Sequence, residues 1–209
     1  MKREAIFDEE GIYQYSFKVA WSEKNDRTVT FILSSPMNTG TQQSEEELKK
    51  CMQLAQRWGF GSLEIVYLFS YQAEDETLLA KLSKQEAVGI GTNQYLTQAV
   101  NRAHLVIAAW GDKGEIHNRQ EDICTSGKTP MYCFGMTDNG CPIAVEDASE
   151  GFELQRWSFS DNEKETKEVY SYIEEVNNQF FEPTFTEIKS FAQEEDPAAV
   201  IEEIIDIFR

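Results

Sequence analysis

The sequence predicts an α/β fold with three layers, in which helices cover both faces of a mostly parallel central sheet. Three observations predict it. Short apolar runs alternate with segments of helical period, polar or glycine-containing loops separate them, and the pattern changes after about residue 144. We therefore expect an α/β domain over residues 1–143 and an acidic, helical C-terminal extension over residues 144–209 that packs on this core.

The first predicted strand covers residues 13–21, where aromatic and β-branched residues alternate with smaller or polar ones. The second covers residues 28–33, a nearly continuous apolar run of the kind found at the centre of a sheet. It is followed by a loop at residues 34–36.

The first predicted helix covers residues 45–58, where Leu48, Cys51 and Ala55 recur at helical spacing behind a capping box formed by Ser44 and Glu47. The same patterns predict strands over residues 62–69, 105–110 and 131–134, and helices over residues 75–83, 93–101 and 115–123, with Thr92 as a candidate cap.

Ligands of such sheets bind at the carboxyl ends of the parallel strands. In this chain the predicted ends are residues 34–38, 70–72, 110–112 and 135–138.

Beyond residue 144 the sequence predicts a strand over residues 152–159 and a helix over residues 163–181. A last helix is predicted after Asp196, with proline at its first position and an apolar stripe over residues 200–208 opposite an acidic face.

The charge of the chain is strongly negative and unevenly distributed. Nineteen basic residues stand against 37 acidic ones, giving −18, and the last 66 residues account for −13 of it. Because the phosphate backbone is itself anionic, this field disfavours duplex nucleic acid as a partner. A small molecule or a basic protein partner fits the charge better.

Several function classes lack support in the sequence. No apolar run has the roughly 20 residues of a membrane helix, and no signal peptide is visible, so we expect a cytoplasmic protein without a membrane partner. The four cysteines form no CxxC pair and there are two histidines, so we expect reduced thiols and no metal. No glycine-rich phosphate loop is present and no cofactor is expected.

Several short elements occur in a characteristic order: Arg57-Trp58-Gly59-Phe60-Gly61, then Ala108-Ala109-Trp110-Gly111, then Cys133-Phe134-Gly135-Met136-Thr137. This series resembles the bacterial and phage family called domain of unknown function 1643, over roughly residues 13–143. The resemblance implies a relationship to the uracil-DNA glycosylase superfamily. It also implies a three-layer α/β/α fold with a pocket at the strand ends, into which a base is flipped.

The chain departs from the family pattern at four polar positions of the implied pocket. Ser35 stands where the family usually has asparagine, Tyr67 replaces a second asparagine, Gln72 replaces an arginine, and Ala144 occupies the place of a histidine. The surrounding glycine, proline and tryptophan residues remain. This pattern suggests lost or altered chemistry, although Asn38 is a candidate for the missing amide.

We therefore expect a non-catalytic or repurposed glycosylase-like protein that binds a nucleobase, a nucleotide or a protein partner. One alternative is an enzyme acting on the glycosidic bond of a nucleobase or nucleotide. Another is an acidic DNA mimic that inhibits a DNA-binding protein. The catalytic residues of an enzyme stay unassigned. The candidate ligand-binding residues are Ser35, Pro36, Asn38, Tyr71, Gln72, Asn93 and Trp110.

Overall fold

In the computed structural model, seven strands form one mixed sheet within the described residues, which are 2–36, 42–73, 76–126, 129–149 and 152–157, without the side chains of 42–45, 76 and 124–126. The strands are β1 (Lys2–Phe7), β2 (Gln14–Ala20), β3 (Thr28–Leu33), β4 (Ser62–Tyr67), β5 (Leu105–Ala108), β6 (Met131–Cys133) and β7 (Gln155–Trp157).

The order of the strands across the sheet is β1-β2-β4-β3-β5-β6-β7. The four central strands β4, β3, β5 and β6 are parallel, whereas β1, β2 and β7 run antiparallel to their neighbours. The α/β class is therefore confirmed. The prediction of a mostly parallel sheet holds for the four central strands only, because antiparallel strands close both edges.

The predicted strands over residues 13–21, 28–33, 62–69, 105–110 and 131–134 are confirmed as β2 to β6, and part of 152–159 as β7. Strand β1 was not predicted. It is an edge strand in which three of the six residues are charged and none is fully buried, so it lacks the apolar pattern that marks the others.

Four helices lie in the described residues: α1 (Gln42–Arg57), α2 (Lys84–Val88), α3 (Thr92–Arg102) and α4 (Arg119–Ser126). Helix α1 begins two residues before Ser44, so the predicted capping box does not start it; glutamines 42 and 43 are compatible with a helix and extend it. Thr92 is the first residue of α3 rather than its cap, and its hydroxyl donates to the Val88 carbonyl.

Two other helix predictions were wrong in extent. Residues 76–78 form a 3-10 turn, and the helix predicted over 75–83 is replaced by α2, because Ser83 and Glu86 form a capping box that starts a helix at Lys84. The helix predicted from residue 115 begins at Arg119, after a 3-10 segment over Gly111–Asn118 that ends in two left-handed residues.

The chain divides into two compact units, residues 1–38 with 60–161 and residues 39–59 with 162–209. In the first unit, a buried cluster joins strands β3 to β7 with helices α2 to α4 through side chains such as Ile32, Val66 and Val106. Helix α3 is also tied to the sheet by the Arg102 guanidinium, whose Nε donates to the buried Glu64 carboxylate at 2.8 Å.

Of the second unit the structure describes residues 42–59. The predicted apolar spacing of α1 is confirmed, since Leu48, Cys51, Met52 and Ala55 are all buried. The helix ends at Arg57, and the turn after it contains Gly59, whose φ of +73° is readily adopted by glycine and whose N–H donates to the Gln56 carbonyl.

The helices and apolar stripe predicted beyond residue 157, together with the packing of the acidic extension, lie outside the described residues. The domain boundary at residue 144 stays a prediction. No helix in the described ranges is long and apolar enough to cross a membrane.

Candidate functional site

The strand order has a topological switch point between strands β3 and β5. These strands are neighbours, yet the chain leaves β3 for β4 on one side and reaches β5 on the other. Such a switch point at the carboxyl ends of parallel strands is where open α/β sheets bind ligands. Ser35 and Pro36 follow β3 and are both buried, and Trp110 follows β5.

Trp110 is a buried side chain with an unusual polar feature. Its ring packs edge-on against Trp157, with the ring centroids 4.8 Å apart, and its Nε1 has no hydrogen-bond partner among the described residues. A β-carbon on Gly114 would lie 2.5 Å from that nitrogen and 3.3 Å from the Gln120 β-carbon. Glycine at position 114 therefore lets the chain pass directly over the Trp110 indole.

A cavity of about 350 Å³ lies beside these residues. It is formed mainly by the segments that follow β5 and β6, and its lining residues are Glu115, Asn118, Gln120, Glu121, Asn139, Gly140 and Trp157. The volume falls within the range of small-molecule sites. Three amide side chains and one indole give this cavity both hydrogen-bonding groups and an aromatic wall.

Gln120 supplies the clearest unsatisfied group of the cavity. Its side chain is buried and forms a hydrogen bond with the Cys141 thiol, while its Oε1 is buried without a partner among the described residues. Buried amide oxygens normally have a partner, because an unmade hydrogen bond costs about 1–3 kcal/mol. The Gln120 oxygen therefore keeps an unused acceptor position next to the cavity.

The backbone beside the cavity is strained. His117 and Asn118 have φ values of 56° and 52°, in the left-handed region that side-chain-bearing residues seldom occupy. The His117 ring supports this turn, since its Nε2 lies 3.1 Å from the Leu79 carbonyl oxygen. Strained turns of this kind concentrate at functional sites, and here the turn carries Asn118 to the cavity wall.

The loop after β6 is fixed by a small polar network. The Thr137 hydroxyl donates to Asp112 Oδ1 at 2.5 Å and accepts from the Cys141 N–H at 3.3 Å. The Gly111 N–H donates to the Pro142 carbonyl at 2.9 Å, which ties this loop to the end of β5. Asn139 and Gly140 are thus carried by a braced loop.

The electrostatic character of the cavity is acidic. Glu115 and Glu121 line it, and no lining residue is basic. Burial, together with the nearby Glu115 and Asp112 carboxylates, raises the pKa of the Cys141 thiol to about 11. This thiol therefore stays protonated at neutral pH, which argues against a thiolate nucleophile.

Asn93 and the buried Arg119 form a second polar arrangement. Arg119 donates from Nε to the Leu68 carbonyl at 2.9 Å, from one terminal nitrogen to Asp122 at 3.1 Å and from the other to Asn93 Oδ1 at 2.5 Å. Burial lowers the pKa of Arg119 despite the hydrogen bond from its guanidinium to Asp122. The amide oxygen of Asn93 is thus engaged within the protein.

Tyr71 and Gln72 lie near the edge of the sheet that is formed by β1 and β2. The Tyr71 ring meets the Tyr13 ring edge-on with centroids 5.8 Å apart, and these two residues form an isolated β-bridge. Gln72 Nε2 donates to the Gly11 carbonyl at 2.6 Å. Both residues fasten the loop after β4 to the turn between β1 and β2.

The structure therefore brings Ser35, Pro36 and Trp110 to the carboxyl edge of the sheet, and Trp110 next to the cavity. Tyr71, Gln72 and Asn93 have partners elsewhere in the first unit. Asn38 lies outside the described residues. A ligand-binding role for these seven residues stays a prediction.

Sequence reasoning missed the residues that line the cavity. The Asn118, Gln120 and Asn139 amides follow no recognisable motif, and a left-handed turn and a loop of distant sequence bring them together. Gly114 and Gly140 were the available signals of close backbone approach. In the described part of the chain, no group of three metal-ligating side chains comes together.

A family model described as "Protein of unknown function (DUF1643)" matches residues 14–143. The match covers more than half of the chain, and the protein belongs to this family. It includes strands β2 to β6 and six of the seven residues that line the cavity. No curated protein and no solved structure was found to match the chain.

Proposed function

We propose that this protein binds a small, uncharged ring compound with the hydrogen-bonding groups of a nucleobase in the cavity beside Trp157, and that it does so without catalysis. The Gln120 side chain carries the proposal. Gln120 lines the cavity, and its Oε1 is buried without a partner among the described residues. A ligand N–H donor would recover the free energy that this unmade hydrogen bond costs.

The other lining groups suit the same class of ligand. Nucleobase edges present donors and acceptors side by side, and each of the Asn118, Gln120 and Asn139 amides offers both. Trp157 adds an aromatic surface of the kind against which planar rings pack.

The family resemblance supports binding rather than catalysis. A relationship to the uracil-DNA glycosylase superfamily fits four parallel central strands with a cavity lined mainly by segments that follow β5 and β6. At the implied catalytic positions, however, the chain has Ser35, Tyr67, Gln72 and Ala144. Tyr67 is fully buried, and its hydroxyl accepts a hydrogen bond from Gln14 at 3.4 Å. We infer that the fold is kept while the glycosylase chemistry is absent.

The test is calorimetric titration of the purified protein with uracil, thymine, cytosine, adenine and guanine, repeated for Gln120→Leu. We expect at least one base to bind, and the variant to bind it at least tenfold more weakly because the unpaired oxygen is gone. Gln94→Leu is the matched control, since Gln94 is exposed on α3. Thermal melts show whether each variant is folded. No binding of any base, or equal binding by folded Gln120→Leu, contradicts the proposal.

The second candidate is an enzyme that cleaves the glycosidic bond of a nucleoside. The Glu115 and Glu121 carboxylates favour it, because a carboxylate on a cavity wall can activate water as a general base. Chromatographic detection of base released from nucleosides tests this candidate. Release that is lost in Glu115→Gln would establish the enzyme and overturn the non-catalytic proposal. The DNA-mimic hypothesis depends on the acidic extension, which lies largely outside the described residues.

A further inference from the structure

Resting on the proposed function, we propose that the cavity selects the free base or nucleoside and rejects the 5′-phosphorylated nucleotide, with Glu115 and Glu121 as the specificity-determining residues. The free base, the nucleoside and the nucleotide all contain the ring that the three amides would recognise, so the amides do not distinguish among them. Selection by charge is therefore a separate property of the same site.

The wall of the cavity carries negative charge. Two of its seven lining residues are glutamates and none is lysine or arginine. A phosphate group carries up to two negative charges at neutral pH, so a wall that holds carboxylates and no lysine or arginine disfavours it. Sites built for phosphate instead use backbone N–H groups, lysine or arginine.

Two arginines, Arg119 and Arg156, are directly adjacent in sequence to residues that line the cavity. The Arg119 guanidinium is directed to Leu68, Asn93 and Asp122, so its hydrogen-bonding groups are used within the protein. Arg156 precedes Trp157 in β7, and successive strand side chains point to opposite faces of the sheet. Neither arginine lines the cavity.

Of the two glutamates, Glu115 also acts on the buried thiol beside Gln120, where burial is the largest cause of the raised pKa of Cys141. Glu115 and Asp112 both contribute to raising the pKa of the buried Cys141 thiol, whose hydrogen-bond partner is Gln120. The negative field of these carboxylates therefore reaches the group next to the amide that would recognise the ligand. An anion at the cavity would meet the same field.

The experiment compares base, nucleoside and 5′-monophosphate by calorimetry, using uracil, uridine and UMP and, separately, adenine, adenosine and AMP. We expect the monophosphate to bind at least tenfold more weakly than its nucleoside at low salt. Raising the salt concentration to about 0.5 M should lower the ratio of nucleoside affinity to monophosphate affinity, because screening weakens charge repulsion.

The double variant Glu115→Gln/Glu121→Gln should bring the monophosphate affinity close to the affinity of the same variant for the nucleoside. Glu10→Gln is the control, because Glu10 is an exposed carboxylate in the turn between β1 and β2. This control variant should leave the ratio of nucleoside affinity to monophosphate affinity unchanged.

The outcomes separate the two proposals. If a nucleoside binds but its monophosphate binds equally well or better, charge selection is wrong and the proposed function stands. If the double variant keeps the wild-type ratio, other groups cause the selection and the assignment to Glu115 and Glu121 is wrong. If no base, nucleoside or nucleotide binds, the proposed function fails and this inference fails with it.

Discussion

Arg119 connects three parts of the first unit although only 1% of its side chain is exposed. It binds the carbonyl at the end of β4, the Asn93 amide at the start of α3 and the Asp122 carboxylate on its own helix. Burying a guanidinium is costly unless its hydrogen bonds are made. Its removal would take a donor from the Leu68 carbonyl and the Asn93 amide oxygen, whereas Asp122 would keep its ion pair with Lys84 at 2.8 Å.

We therefore expect Arg119→Met to lower the free energy of unfolding by about 3–5 kcal/mol, as measured by urea denaturation. Arg119→Lys should recover only part of the loss, because an ammonium group cannot reproduce the planar fork of donors. Lys81→Met is the control at an exposed position and should change stability by less than about 0.5 kcal/mol. A near-neutral Arg119→Met would mean that the three hydrogen bonds contribute little.

At the scale of elements, the loop between α2 and α3 is built around two tyrosine rings. A β-carbon on Gly91 would lie 2.8 Å from the Tyr15 ring, and one on Gly89 2.6 Å from the Tyr13 ring. Tyr15 stacks on Tyr95 with centroids 4.8 Å apart, and its hydroxyl hydrogen-bonds the Gly91 backbone. The glycines thus allow α3 to begin directly over this aromatic layer.

We expect Gly91→Ala to lower the free energy of unfolding by about 1–3 kcal/mol, because the added methyl group overlaps a ring that is itself packed. Its φ of −81° is allowed for alanine, so the effect isolates the close approach from backbone strain. Ile90→Ala serves as the control in the same loop, since Ile90 is 94% exposed. Equal stability of the two variants in thermal and urea unfolding would contradict this packing argument.

An element could be predicted from sequence where its own apolar pattern, rather than its tertiary partners, determines its structure. The apolar run of β3 has polar residues at both sides, and both of its ends were predicted correctly. Strand β1 is held by pairing with β2 rather than by its own apolar pattern, so periodicity misses it. Helix α4 starts late because His117 and Asn118 interrupt the segment, and left-handed backbone at such residues has no clear sequence signature.

At the scale of the whole molecule, the order of the strands determines where a site can form. The sequence analysis predicted binding at four strand ends, and the cavity is built mainly from the segments that follow two of them, β5 and β6. Trp110 could be predicted from sequence as a residue near the site, because it is an aromatic residue that follows the apolar strand β5. Gln120 and Asn139 could not, since their approach depends on tertiary packing of the Gly111–Asn118 segment against the loop after β6.

The net charge of −18 is a property of the entire chain and has its own consequence for stability. Like charges in a folded protein repel one another more than in the expanded unfolded chain, so folding is opposed by self-repulsion. Salt screens this repulsion, and the Debye length falls to about 10 Å at 0.1 M ionic strength.

We therefore expect the melting temperature to rise by about 2–4 °C between 10 and 200 mM NaCl, corresponding to roughly 1 kcal/mol for a chain of this size. The rise should level off above about 0.2 M, because the repulsion is then largely screened. Sodium sulfate at matched ionic strength is the comparison, since it also strengthens apolar burial and should keep raising the melting temperature at higher concentration. A melting temperature that is flat or falls over the first 200 mM NaCl would show that favourable ion pairs outweigh the net repulsion.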